Sequence, residues 1–176
     1  MREPNDLEQY VAGLYEFDAD DFTSLVLRTV ILERFTFLEV ALNDVLAMRY
    51  ARDQEAADTL ADQVFSRLAM TARIEMLRSI LDSEDLTDRW PFLLDVLARL
   101  SRLRNALAHG FVERVKEGQF RITTVNRGVV KNLPYTSKEL GWLAWQSDVA
   151  TTELRAIWAV LIPEADDWFG PEPAAD

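Results

Sequence analysis

Residues 90–110, WPFLLDVLARLSRLRNALAHG, carry the periodicity that decides the fold. At 100° per residue, four leucines fall on one stripe, which predicts a helix from about Trp90 to His109. Gly110 follows in the position that is favoured just after a helix C-cap. Arg104 lies in the middle of the same stripe, where an apolar side chain is expected. The leucines of the stripe are Leu93, Leu97, Leu100 and Leu107.

The end of this helix combines three side chains that suit phosphodiester chemistry. An arginine on an apolar stripe is costly unless it is paired or reaches a polar cavity. Asn105 and His109 are four residues apart and share the neighbouring helix face. Arginine can hold a phosphate, histidine can transfer protons near neutral pH, and asparagine can orient the imidazole or contact the phosphate. Arg104, Asn105 and His109 are therefore the predicted catalytic residues, in a scheme that needs no metal and no cofactor.

The remaining periodicities predict a mainly α protein with four long helices and one short β-hairpin. The first helix, about residues 22–51, is apolar on more than one side, which favours the centre of a helical bundle or a dimer interface. Residues 111–131 change to a strand-like pattern with turn signals, which predicts a hairpin or a three-stranded flap. A capping-box pattern at 136–139 marks the start of the last helix. The second helix is predicted at about 59–81, with a stripe of Val64, Phe65, Leu68 and Ala72.

Length and composition favour one domain of ordinary size. The chain has 176 residues, of which 49% are apolar, and only 6 are glycine. We predict a polar lead-in at 1–21, a single helical domain at 22–162 and an acidic, flexible tail at 163–176. The start of the chain lacks the apolar stretch of a signal peptide, and no apolar run reaches membrane-spanning length. The expected location is cytoplasmic, without membrane association.

The composition also limits the kinds of site. The absence of cysteine excludes disulfides and cysteine-based metal sites, and a single histidine argues against a multi-histidine zinc or copper site. A net charge of −11 gives no generic attraction to nucleic acid. Arg99, Arg102 and Arg104 nevertheless form the densest basic cluster of the sequence. Together with basic residues of the predicted hairpin they could form a local positive surface.

The order Arg104-Asn105-x-x-x-His109 at a helix end resembles the signature of the HEPN domain family. The predicted order of helices is also similar to the plan of that family, with the hairpin as an insertion before the last helix. The resemblance implies a metal-independent endoribonuclease of the toxin–antitoxin or phage-defence type. It further implies a homodimer in which two motifs line one cleft, RNA as substrate, and a protein partner such as an antitoxin.

Several polar residues have two interpretations. Arg34, Glu39, Asn43 and Arg102 are candidates for lining the same cleft, but a solvated surface explains them as well. His109 is also favourable in the last turn of a helix because of the helix dipole. Arg104 is also explained by an ion pair with a buried carboxylate, for which Glu75 is the candidate.

Three functions therefore compete on the sequence alone. The first is the HEPN-type endoribonuclease. The second is a non-catalytic, dimeric helical module that binds protein partners, which the acidic charge and the tryptophans of the last helix favour. The third, a nucleotide-binding domain without turnover, would rest on Arg104 alone because no glycine-rich phosphate loop is present.

Overall fold

The computed structural model describes residues 19–161, which are mainly helical. Five α-helices and three β-strands follow one another in these residues. The helices are α1 (Ala19–Tyr50), α2 (Gln54–Gln63), α3 (Met70–Ser83), α4 (Leu93–His109) and α5 (Ser137–Leu161). The strands, β1 (Phe111–Lys116), β2 (Gln119–Asn126) and β3 (Val129–Thr136), lie between α4 and α5. The predicted tail lies outside the described residues, as does the predicted lead-in up to residue 18.

The prediction of a single second helix is wrong. Residues 54–83 form two helices, α2 and α3, separated by a short 3-10 turn at Phe65–Arg67 and two extended residues. Phe65 and Met70 are both buried, although a spacing of five residues would place them about 140° apart on one continuous helix. The break allows both side chains to be buried. It also leaves Val64 and Ala72, which belong to the predicted stripe, exposed.

The other elements agree with the sequence pattern. α4 ends at His109, and the predicted flap is a three-stranded antiparallel sheet in the order β1-β2-β3. Arg127 and Gly128 both have positive φ, as the tight turn between β2 and β3 requires. The capping box at the start of α5 is present. The backbone N–H of Thr136 donates to Glu139 Oε2 at 2.7 Å, and the N–H of Glu139 donates to Thr136 Oγ1 at 3.1 Å.

The chain forms two compact units, each built from separate segments. Among the described residues, the first contains 19–35 together with Arg102–Trp145, and it includes the sheet. Its buried side chains include Ile31, Phe35, Leu103, Leu107, Phe120, Ile122, Leu140 and Leu143. The second contains Thr36–Ser101 and, within the described residues, 146–161. Its buried side chains include Leu38, Leu42, Leu46, Phe65, Leu77, Leu81, Leu93, Leu97, Leu154 and Ile157.

The coarse fold prediction is confirmed, since the described residues are mainly α with a small sheet before the last helix. The four-helix HEPN-like bundle and the single-domain boundaries stay predictions. Within residues 19–161, no helix combines the length and the apolar character that crossing a membrane requires.

Candidate functional site

The three predicted catalytic residues lie at the carboxyl end of α4, in the first unit. Asn105 and His109 are exposed, and Arg104 is half-buried. Arg104 Nη1 donates to Asn105 Oδ1 at 3.4 Å, which is long for a hydrogen bond. The leucine stripe is buried as predicted, but Arg104, which continues it toward the helix end, is not sealed in the core. The guanidinium and the amide are thus adjacent, and the amide and imidazole side chains are accessible.

Arg102 lies on the same exposed helix face as two of these residues. Arg102, Asn105 and His109 follow one another at spacings of three and four residues, and all three are exposed. Arg102, one of the candidate cleft-lining residues, therefore shares a helix face with the histidine. Arg34 also belongs to the first unit and is half-buried.

Arg28 is a third cation at this helix end, and no local sequence pattern indicates it. Its Nη2 donates to the backbone carbonyl oxygen of Ala108 at 3.0 Å. The last carbonyls of a helix have no partner within the helix, so a guanidinium here satisfies one of them and complements the helix dipole. Helical periodicity places Arg28 on α1, but it contains no signal that α1 meets the end of α4.

Tyr135 is a further polar group that interacts with this surface. Burial and, to a smaller extent, the Glu139 carboxylate raise the pKa of its phenol, while Arg102 acts in the opposite direction. The phenol therefore stays protonated at neutral pH and remains a hydrogen-bond donor. Its interaction with Arg102 depends on the pairing of β3 with β2, which a local sequence pattern does not reveal.

Gly110 holds the end of α4 close to the sheet. Its N–H donates to the carbonyl oxygen of Ala106 at 2.8 Å. A Cβ at this position would overlap that same carbonyl oxygen, and it would lie 3.0 Å from both Ile122 Cγ2 and Thr123 O. The close approach, rather than a left-handed backbone, explains the glycine. It places His109 one residue away from the junction between the helix and the sheet.

The segment around this site is basic although the whole chain is acidic. Residues 102–145 contain eight lysines and arginines and three glutamates, a net charge of +5 in a chain whose net charge is −11. Arg121 Nη1 pairs with Glu113 Oε1 at 3.0 Å across β1 and β2. The cations at the end of α4 from Arg102 onward and those of the sheet thus belong to one unit of the protein.

Glu39 and Asn43 form a different polar cluster, in the second unit. Arg73 Nη1 donates to Asn43 Oδ1 at 2.8 Å, and Arg73 Nη2 lies 3.5 Å from Glu39 Oε1. Arg73 is only 5% exposed and Asn43 is also buried. The three residues stabilise the interior of that unit, so a packing role explains Glu39 and Asn43 without a cleft.

Arg73 had a signal that the sequence analysis overlooked. It precedes Leu77, Ile80 and Leu81 at helical spacings, and all three are buried. Glu75, which was the candidate partner of Arg104, is exposed and lies 3.7 Å from Arg78 on its own helix.

Residues 19–161 contain no group of three or more histidine, aspartate or glutamate side chains placed to hold a metal ion. Comparisons of the chain with known protein families, with curated proteins and with solved structures give no match.

Proposed function

We propose that the chain is a HEPN-like, metal-independent endoribonuclease of a toxin–antitoxin or phage-defence system. The observation that supports this proposal best is the arrangement at the end of α4. There, Arg104 contacts Asn105, and Asn105 shares an exposed face with His109. The net charge of +5 over residues 102–145 supports RNA as the substrate, because phosphate contacts dominate affinity for nucleic acid.

The chemistry of the proposal is an attack of a ribose 2′-hydroxyl on the adjacent phosphorus. His109 removes the proton of the hydroxyl, the bond from the 2′-oxygen to phosphorus forms, and the bond from phosphorus to the 5′-oxygen breaks. Arg104 opposes the negative charge that develops on the phosphate oxygens. The products are a 2′,3′-cyclic phosphate and a 5′-hydroxyl.

The leaving 5′-oxygen requires a proton in the same step. Each chain contains one histidine, so a single site holds one imidazole for two proton transfers. The homodimer that the family resemblance implies would place the His109 of a second copy at the leaving group. Arg102, on the same face as His109, would bind a neighbouring phosphate of the RNA.

The test is cleavage of a mixed-sequence RNA with a chelator present. We expect the parent protein to cleave it to 2′,3′-cyclic phosphate ends. His109→Ala and Arg104→Ala should each reduce the rate by on the order of 100-fold or more. Arg52→Ala, in the second unit, is the control and should cleave like the parent. Equal cleavage by the parent and His109→Ala, or no cleavage by any of the proteins, contradicts the nuclease proposal.

The second candidate is the non-catalytic, dimeric helical module, and exposed apolar side chains favour it. On α1, Phe37 and Val40 are one turn apart and are 59% and 51% exposed. On α5, Trp142 and Trp145 are also close in sequence and are 47% and 58% exposed. Large exposed apolar side chains that cluster in this way are typical of interaction surfaces.

Sedimentation of the purified protein tests this second candidate. We expect a dimer that Phe37→Glu dissociates, whereas Val64→Glu, at another exposed apolar position, leaves it intact. A monomer at all concentrations would exclude self-association through α1. An intact dimer with no RNA cleavage would favour the interaction module over the nuclease.

A further inference from the structure

The second unit contains a cavity of about 460 Å³ between α1, α2 and α5, well away in sequence from the motif at the end of α4. This volume lies within the range of small-molecule sites, roughly 300 to 1,000 Å³. Apolar side chains form most of its wall, among them Val40, Ala41, Val45, Met48, Ala57 and Trp158. Four polar side chains complete the lining: Asp44, Gln54, Asp58 and Arg155.

One polar oxygen beside the cavity is buried without a hydrogen-bond partner. Gln54 Nε2 donates to Asp58 Oδ1 at 2.7 Å, which fixes the amide orientation. Gln54 Oε1 is then buried without a hydrogen-bond partner. A buried acceptor of this kind costs about 1 to 3 kcal/mol unless a donor reaches it. The oxygen has almost no accessible surface, so an N–H group of a ligand reaches it only after the Gln54 side chain turns toward the cavity.

Asp44 adds a negative charge to the same lining. Although Asp44 keeps access to solvent, partial desolvation is the largest cause that raises the pKa of its carboxyl. Asp58 and Asp62 raise this pKa further, while Arg155 acts against them. A bound cation would favour the charged carboxylate of Asp44. It would therefore oppose the effects of desolvation, Asp58 and Asp62 on this pKa.

We infer that this cavity binds a small hydrophobic amine, with its apolar body against the α1, α2 and α5 side chains and its ammonium group toward Asp44. Size, apolar walls and an excess of acceptors over donors all favour this class over a neutral or an acidic ligand. Among the described residues of the lining, Arg155 is the only cation, against two carboxylates. The site is independent of the proposed nuclease chemistry, since none of its residues belongs to the motif.

Three probes with one scaffold separate charge from apolar contact: 4-phenylbutylamine, 4-phenylbutanol and 4-phenylbutyrate. Calorimetric titration of the full chain should give binding of the amine about tenfold or more tighter than the alcohol, since a charge-assisted hydrogen bond contributes that much. The carboxylate should bind weakest. Equal affinity for all three probes, or no binding of the amine at millimolar concentration, overturns the inference.

Two single substitutions test whether Asp44 is the group that binds the amine. Asp44→Asn should weaken the amine about tenfold and leave the alcohol unchanged. Asp62→Asn removes a nearby carboxylate that does not line the cavity, and it should leave the amine affinity close to that of the parent. If both variants weaken the amine equally, the attraction is a general effect of charge and the site is wrong.

A filled cavity provides the last control. Ala61→Phe introduces a ring into the lining and should abolish binding of both the amine and the alcohol. Retained binding in this variant overturns the inference. A dimer that Ala61→Phe dissociates, together with failure of the parent to bind the amine, would assign the cavity to a second copy of the chain instead.

Discussion

The guanidinium of Arg28 donates a hydrogen bond to the carbonyl oxygen of Ala108, one residue before His109. A residue of α1 thus closes the carboxyl end of the helix that carries the predicted catalytic motif. The contact connects two segments that lie 80 residues apart in the sequence. It supplies a positive charge where the helix dipole is negative, and it fixes the backbone that carries the histidine.

Replacing Arg28 by methionine keeps much of its apolar length and removes this cap. We expect the free energy of unfolding to fall by about 1 to 2 kcal/mol, because the carbonyl loses a charged donor in a half-buried position. Arg52→Met is the matched control. The side chain of Arg52 is 91% exposed, so its loss should change stability by less than about 0.5 kcal/mol. Urea unfolding of both variants measures the difference, and equal midpoints would show that the cap contributes nothing.

Arg73→Met should be far more harmful than the loss of a surface arginine. It leaves Asn43 Oδ1 buried without its donor and removes the partner of Glu39. Breaking a buried charged pair in this way costs about 3 kcal/mol. Arg78→Met, on the exposed side of the same helix, should cost less than about 0.5 kcal/mol. Thermal unfolding of the two variants measures both losses of stability. Similar losses would contradict a structural role for Arg73 and its contacts with Glu39 and Asn43.

Replacing either of two glycines by alanine should change the free energy of unfolding, in opposite directions at the two positions. Gly110→Ala introduces a methyl group that overlaps the Ala106 carbonyl oxygen, and we expect a loss of about 1 to 3 kcal/mol. Gly141→Ala lies in α5 with open space around the new methyl group, and it should gain about 0.5 to 1 kcal/mol from helix propensity. Chemical unfolding of both proteins gives the signs directly. A neutral Gly110→Ala would mean that the end of α4 does not approach the sheet so closely.

The capping box of α5 should make stability depend on pH in the acidic range. Hydrogen bonds from the backbone N–H and the hydroxyl of Thr136 lower the pKa of Glu139 below its ordinary value of 4.5. A lowered pKa in the folded state stabilises the protein above the unfolded-state pKa, and this contribution is lost as the pH falls through the folded-state value.

Glu139→Gln should therefore be less stable than the parent at pH 7, and the gap should close as the pH falls below 4.5. Thermal unfolding of both proteins at about five pH values between pH 3 and pH 7 measures this difference in stability. Glu117→Gln, an exposed change in a turn, controls for the loss of one charge. A gap between Glu139→Gln and the parent that is the same at all pH values would exclude the titration of Glu139 as its cause.

Local patterns predict the elements of this protein well where one residue or one repeat decides the structure. The leucine stripe predicts α4, and Thr136 with Glu139 predicts the start of α5. The turn signal at Arg127-Gly128 predicts the join of β2 and β3. In each case the decisive interaction lies within a few residues of the signal. The break between α2 and α3 was missed because burial of Phe65 and Met70 depends on the surrounding core.

The candidate site is predicted only as far as α4 extends. Arg102, Asn105 and His109 share a face because of helix geometry alone. Arg28 and Tyr135 reach this region from other elements, and no spacing within α1 or β3 indicates it. The helix position of Glu39 and Asn43 leaves a cleft and a solvated face equally open. Their contacts with Arg73, which lies 30 or more residues away, are not indicated by that pattern.

The edges of the sheet also limit strand pairing between molecules. Among the described residues, β1 and β3 each pair with β2 alone, so each has an outer edge without a strand partner. Pro134 removes a backbone donor from one edge, and the irregular register between Arg114 and Lys116 distorts the other. Both devices discourage the addition of a further strand from another molecule. The same sheet that borders the proposed RNA surface is thereby protected against growing into an aggregate when the protein is abundant.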